Sequence, residues 1–182
     1  MALKSTICKA QIQLADMDRH HYDDLSLTLA QHPSETDQRL MVRLLAYALN
    51  AGEGLAFTRG LSTDDEPELW RKDLTGAIEL WIELGLPDED RLRKACQRSR
   101  QVILYAYGEE GAVRPWWDKL QHRLSRFDNL VVWRLPAEQT RELAELADRS
   151  IDLQCNVQEG QVMLSDARRT VILDPEPLLG IE

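Results

Sequence analysis

Apolar and polar residues alternate strictly between Ile78 and Leu84. Ile78, Leu80, Ile82 and Leu84 fall on one face of an extended chain, and Glu79, Trp81 and Glu83 fall on the other. A period of two predicts a half-buried strand over 77–84. The preceding Arg71-Lys72-Asp73-Leu74-Thr75-Gly76 is turn-like and ends in glycine, so a strand over 66–70 is expected to pair with it as an antiparallel hairpin. The same alternation runs through Cys8, Ala10, Ile12 and Leu14, and again through Leu25, Leu27 and Leu29. With the turn-rich Asp16-Met17-Asp18-Arg19 between them, residues 4–14 and 24–30 read as an opening hairpin. Pro33, which has no ladder donor, ends it.

The pattern then becomes helical. Leu40, Met41, Leu44, Leu45, Ala48 and Leu49 form a wide apolar stripe, and Gly52 is a natural stop. Ser34 is placed to cap this helix, with Asp37 in the reciprocal position of a capping box. Glu35, Arg39 and Arg43 share another of its faces at four-residue spacing. Residues 55–61 suggest a strand. Pro87-Asp88-Glu89-Asp90 opens a second helix that runs to about Arg100, its acids suiting the positive helix end. Beyond it the pattern predicts a strand over 101–107, a helix over 113–127, a strand over 129–135 and a helix over 136–149. A closing hairpin follows over 151–157 and 161–165, extended by 170–173, and the Pro175/Pro177 tail is expected to be loose. Strands and helices alternating through the middle predict an α/β fold. The expectation is a single compact domain over residues 1–182, with a mixed β-sheet flanked by helices and extra antiparallel hairpins at both ends.

Charge sharpens this picture more than bulk composition does. The chain of 182 residues carries a net charge of -9, which argues against a general nucleic-acid coat. Residues 91–126 run the other way. Arg91, Arg93, Lys94, Arg98, Arg100, Arg114, Lys119, Arg123 and Arg126 face only Glu109, Glu110 and Asp118 there. Such a block suits a polyanion-binding face, or equally two helices with solvated basic faces. The N-terminal residues lack an apolar signal region and no apolar run approaches a membrane span, so a cytoplasmic, monomeric protein is expected. Cys8, Cys96 and Cys155 have no metal-type spacing and read as buried thiols. Gly52-Glu53-Gly54 precedes a strand rather than a helix, which argues against a dinucleotide loop.

The central hairpin carries the candidate chemistry. An even-numbered loop puts Asp64, Glu66 and Glu68 on the face of Glu79 and Glu83, where like charges directly opposite one another are destabilising. A magnesium ion, which typically takes one or two carboxylates plus waters and phosphate oxygens, would offset that repulsion. A solvated acidic face would need no ion at physiological salt.

Three strings then carry a resemblance. His32-Pro33-Ser34-Glu35-Thr36 is the first, and Arg59-Gly60-Leu61 leading to Asp64-Asp65-Glu66-Pro67-Glu68 is the second. The third is Leu80-Trp81-Ile82-Glu83-Leu84-Gly85-Leu86-Pro87-Asp88-Glu89. Together they resemble the YaeQ family of small bacterial proteins, over essentially the whole chain. The resemblance implies a single-domain variation of the PD-(D/E)XK nuclease core. Nucleases of that superfamily use an acid on a helix, an acid on one hairpin strand, an acid on the next, and a lysine two residues later. Carried over, Glu35 matches the helix acid, Glu66 or Glu68 the first hairpin acid, and Glu83 the second. Gly85 stands where the lysine belongs, and Lys94 on the following helix is the candidate to restore that charge.

The expected function is a metal-dependent, nuclease-like phosphodiester hydrolase. Glu66 and Glu83 would hold magnesium, with Glu68 as the alternative to Glu66. Lys94 would orient the attacking water, Glu35 would complete the ion's surroundings, and Arg91 and Arg98 would engage the nucleic-acid backbone. The rival expectation is a non-catalytic nucleic-acid- or protein-binding module on the same fold. Gly85 favours the rival, and the retained acids favour the enzyme.

Overall fold

The computed structural model describes residues 4–59 and 65–180, so Asp64 of the acidic segment lies outside the described residues. In chain order its elements are β1 (Thr6–Asp16), β2 (His21–Gln31), α1 (Asp37–Leu49), β3 (Leu55–Phe57), β4 (Leu69–Lys72) and β5 (Ile78–Leu84). They continue as α2 (Glu89–Arg98), β6 (Ser99–Ala106), α3 (Val113–Leu124), β7 (Leu130–Arg134) and α4 (Ala137–Ala144). The chain closes with β8 (Ser150–Gln158), β9 (Gln161–Ser165), β10 (Thr170–Leu173) and β11 (Glu176–Leu179). The fold is α/β with mixed sheets, as the alternation predicts. Its strands divide between two sheets, and the chain falls into two compact units of interrupted sequence: residues 1–49 with 138–175, and 50–137 with 176–182.

In the first unit the strand order is β10-β9-β8-β1-β2. β1 runs antiparallel to β2, with Ile12 opposite Leu25, and parallel to β8, with Ile12 opposite Leu153. Cys8, Ala10, Ile12 and Leu14 are buried on one face, while Lys9, Gln11 and Gln13 are exposed on the other. The apolar stripe of α1 is buried from Leu40 to Ala48. Its start differs from expectation. The Glu35 amide donates to the His32 carbonyl at 2.8 Å, closing a β-turn with Pro33 in its second position. Ser34 is thereby caught inside the turn, its hydroxyl 2.6 Å from His32 Nδ1. The cap is Thr36, whose Oγ1 accepts the Arg39 amide at 3.1 Å. Glu35 therefore precedes the helix rather than sitting in its first turn.

The second unit holds the order β11-β7-β6-β5-β4-β3, with β5, β6 and β7 parallel and the remaining pairs antiparallel. Leu69 pairs with Ile82 and Trp70 with Trp81, the parity expected of the central hairpin. The faces differ from expectation in burial. Trp81 is 2% exposed and Ile82 0%, so β5 is covered on both sides. Trp81 packs with Leu92, Ala95, Leu104, Leu120 and Leu124, the apolar face of a parallel core sheet rather than a solvated one. The proline tail is a second correction. Residues 176–179 are not loose but form β11, an edge strand against β7, where Pro177 has no inner ladder bond to break. All three cysteines are free and buried, and burial pushes the Cys96 thiol up to about 11 and that of Cys155 to about 12.

Candidate functional site

Glu68 lies immediately before β4, whose first pair is Leu69 with Ile82, and its amide donates to the Ile82 carbonyl at 3.1 Å, which brings it beside the Glu83 end of β5. Both acids are buried, Glu68 at 8% and Glu83 at 3% exposure. The Glu68 charge bears unfavourably on Glu83, as like charges do at close range. What offsets the repulsion comes from α2. Asp88 caps that helix by accepting the Arg91 amide at 2.8 Å, which fixes its first turn beyond the end of β5. Arg91 then reaches back over the strand. Its Nε donates to Glu83 Oε2 at 2.8 Å and its Nη2 to Glu83 Oε1 at 2.8 Å, a bidentate fork. Trp81 Nε1 adds a third donor to Glu83 Oε1 at 2.9 Å. Burial raises the Glu83 carboxyl above the ordinary glutamate value; Arg91 and then Trp81 oppose the rise, and the neighbouring Glu68 charge adds to it.

The remaining proposed site residues are placed as follows. Glu66 joins the cluster through its backbone, its carbonyl accepting Arg91 Nη2 at 2.9 Å, while its side chain accepts the Arg59 amide at 3.4 Å. Arg98 donates to the Asp65 carbonyl at 3.0 Å, and its guanidinium sits 5.3 Å from the Trp81 ring centre. Lys94 is exposed and pairs with Asp90, Nζ to Oδ2 2.9 Å, one helical turn earlier. The cation that meets Glu83 is thus Arg91 rather than Lys94. Glu35, in the first unit, is bound by Arg39 Nη1 at 2.6 Å and by Arg43 Nη2 at 2.7 Å. Arg43 also donates to the Ala30 carbonyl.

Gly85 has a φ of +92°, in the left-handed region, and a Cβ added there would meet no atom within 4 Å. A lysine at this position would therefore find space but would strain the backbone. Gly85→Lys is expected to lower stability by about 1–2 kcal/mol, read as a lower urea midpoint with an unchanged slope.

These contacts bear directly on magnesium. An ionised carboxylate offers about four lone-pair sites, and Arg91 and Trp81 take three of those on Glu83. The guanidinium also brings positive charge to the place the ion would occupy. Among the described residues, no three His, Cys, Asp or Glu side chains are placed together to hold a metal. The Glu83 environment therefore does not fit a magnesium ion in this arrangement.

Most of the basic block is matched with acids. Arg123 and Arg126 both pair with Glu89, Arg93 and Lys94 with Asp90, and Arg114 with Asp118. The role of Arg91 is the contact that the residue pattern conceals. One signal for it exists: a cation in the first turn of a helix opposes the helix dipole, so it needs a nearby acid outside that helix.

The model of the YaeQ protein family matches residues 1–175. A protein of Salmonella typhi described as an uncharacterized YaeQ protein is 50% identical over 171 residues, covering 94% of each chain. The corresponding Escherichia coli protein is 48% identical with the same coverage. Among solved structures, the YaeQ protein of Xanthomonas axonopodis pv. citri superposes with a TM-score of 0.94 at 47% identity, covering 97% of this chain and 99% of that one. The YaeQ protein of Pseudomonas syringae superposes with a TM-score of 0.92 at 38% identity, covering 97% of both.

Proposed function

The chain belongs to the YaeQ family, and we propose that this member is a non-catalytic binding module built on a nuclease-like fold. The observation that carries this reading is the Arg91 fork on Glu83. An acid that must receive a metal and a phosphate is instead neutralised from within the protein. The other nuclease positions point the same way. Glu35 is committed to two arginines, Lys94 to Asp90, and the lysine position is a glycine in left-handed backbone. The acids hold the fold together where a nuclease would use them on its substrate.

A magnesium-dependent phosphodiester hydrolase is the second reading, favoured by two buried acids, Glu68 and Glu83, whose charges interact, with the Glu83 carboxyl raised. Calorimetric titration with magnesium and manganese, beside a cleavage assay on single- and double-stranded oligonucleotides, separates the two. The binding-module reading expects no saturable metal heat and no cleavage. Stoichiometric metal binding and cleavage, both lost in Glu83→Gln, would establish the hydrolase instead.

A further inference from the structure

The second unit contains an open groove of about 570 Å³ at the starting ends of its parallel strands, within the size range of small-molecule sites. Arg71, Glu79, Arg100, Gln101, Asp128 and Asn129 line it. We propose that this groove binds a small phosphate monoester of nucleoside-monophosphate size, with Arg71 and Arg100 holding the phosphate. The proposal rests on the binding-module reading and names that module's ligand class.

What distinguishes this groove is how few of its polar groups are committed. Arg91 in the same unit, by contrast, forks onto Glu83 with two bonds of 2.8 Å. Here Arg71 makes one hydrogen bond, Nε to Glu79 Oε2 at 3.2 Å, which leaves its two terminal nitrogens without partners among the described residues. Arg100 lies 3.8 Å from Glu79 and 3.7 Å from Asp73, within ion-pair range but beyond hydrogen-bond reach, with its side chain 70% exposed. Glu79 thus sits between two guanidiniums, one facing each of its oxygens, and marks where an oxyanion is stabilised. A guanidinium offers five donors, and two of them can fork onto a phosphate.

The other lining groups suit the rest of such a molecule. The side chains of Gln101 and Asp128 make no hydrogen bond among the described residues. Asn129 spends its amide nitrogen on the Cys96 and Ser99 carbonyls at 2.9 and 3.0 Å, so its remaining capacity is as an acceptor. Acceptors from Asp128 and Asn129 match sugar hydroxyls. Asp73 is set apart from this task. The Thr75 hydroxyl and the Thr75 and Ala77 amides hold it in the β4–β5 turn. The two acids in the groove balance its two arginines, so a bare anion gains little from net charge. A ligand with both an anionic head and hydroxyl donors gains from both ends.

The probes are adenosine 5′-monophosphate and adenosine, titrated at low salt by calorimetry and by following arginine side-chain NMR signals. The monophosphate is expected to bind saturably and to shift the Arg71 and Arg100 signals, with no response to adenosine. Arg100→Ala, at an exposed position that the fold does not need, should weaken binding at least about tenfold. Lys119→Ala, an exposed cation outside the groove, should leave it unchanged. The assignment is overturned if the monophosphate does not saturate, if adenosine binds equally, or if binding survives the combined Arg71→Ala and Arg100→Ala substitution. None of these outcomes depends on metal binding or cleavage, so a failure of this site is distinguishable from a failure of the binding-module reading.

Discussion

Arg91→Met should destabilise the protein by about 3–5 kcal/mol, the usual cost of removing one partner from a buried ion pair. The guanidinium touches both oxygens of a carboxylate that is 3% exposed and feels the charge of a second buried acid, Glu68. Methionine fills similar volume and leaves Glu83 charged against Glu68. The loss should depend on pH, with a definite sign. Burial already raises the folded-state value of Glu83, and Arg91 supplies the main opposing influences. Without Arg91 that value rises further. A group raised in the folded state contributes stability that is complete below its unfolded value and is lost as pH climbs through its folded value. The stability gap between wild type and Arg91→Met, read by urea denaturation across a pH series, should therefore narrow toward acid and widen toward neutrality. Adding Glu83→Gln to the variant should recover much of the loss at neutral pH. A gap that does not change with pH would mean that Glu83 ionisation is not what the arginine controls.

Glu35→Ala should cost a comparable amount, about 3–5 kcal/mol, for the opposite reason. Glu35 is the acid between Arg39 and Arg43, and the Arg43 side chain is only 6% exposed. Removing Glu35 takes from the buried Arg43 guanidinium the carboxylate it meets at 2.7 Å. Glu35→Gln, which keeps an acceptor of the same shape, should lose less than the alanine variant. Thermal melts of the two variants side by side test the point. If Glu35→Ala melts with wild type, the acid contributes nothing to the fold and its role has to be sought in ligand binding.

The periodic elements were legible because their side chains report their own surroundings. β1 shows its two faces through Cys8, Ala10, Ile12 and Leu14 against Lys9, Gln11 and Gln13. Less legible were positions where a polar residue serves the interior. Glu83 reads as a solvent-facing acid in a half-buried strand, yet Trp81 and Arg91 satisfy it inside the core. Nothing in a period of two distinguishes those cases, because the distinction lies in what α2 lays over the strand. Ser34 lost the capping role to Thr36 because Pro33 closed a turn one residue too early for Ser34 to reach the helix. β11 escaped detection because prolines argue against a strand in general, and only the edge position makes Pro177 acceptable. The division of the strands into two sheets depends on the β1–β8 pairing, between segments far apart in sequence. The candidate site was legible as a set of acids. Its chemistry was not, because the partner that decides it belongs to another element.

That β1–β8 pairing also sets an order of events during synthesis. Lys9 meets Ser150 and Asp16 meets Val157, so β1 leaves the ribosome well before its parallel partner exists. At about 5–20 residues per second, the delay is on the order of ten to thirty seconds. Until then the β1–β2 hairpin has a strand edge open to any other extended chain, with buried-to-be Ile12 and Leu14 exposed beside it. The nascent first unit thus has a longer wait for its partner strand than β5, whose parallel neighbour β6 follows within about twenty residues.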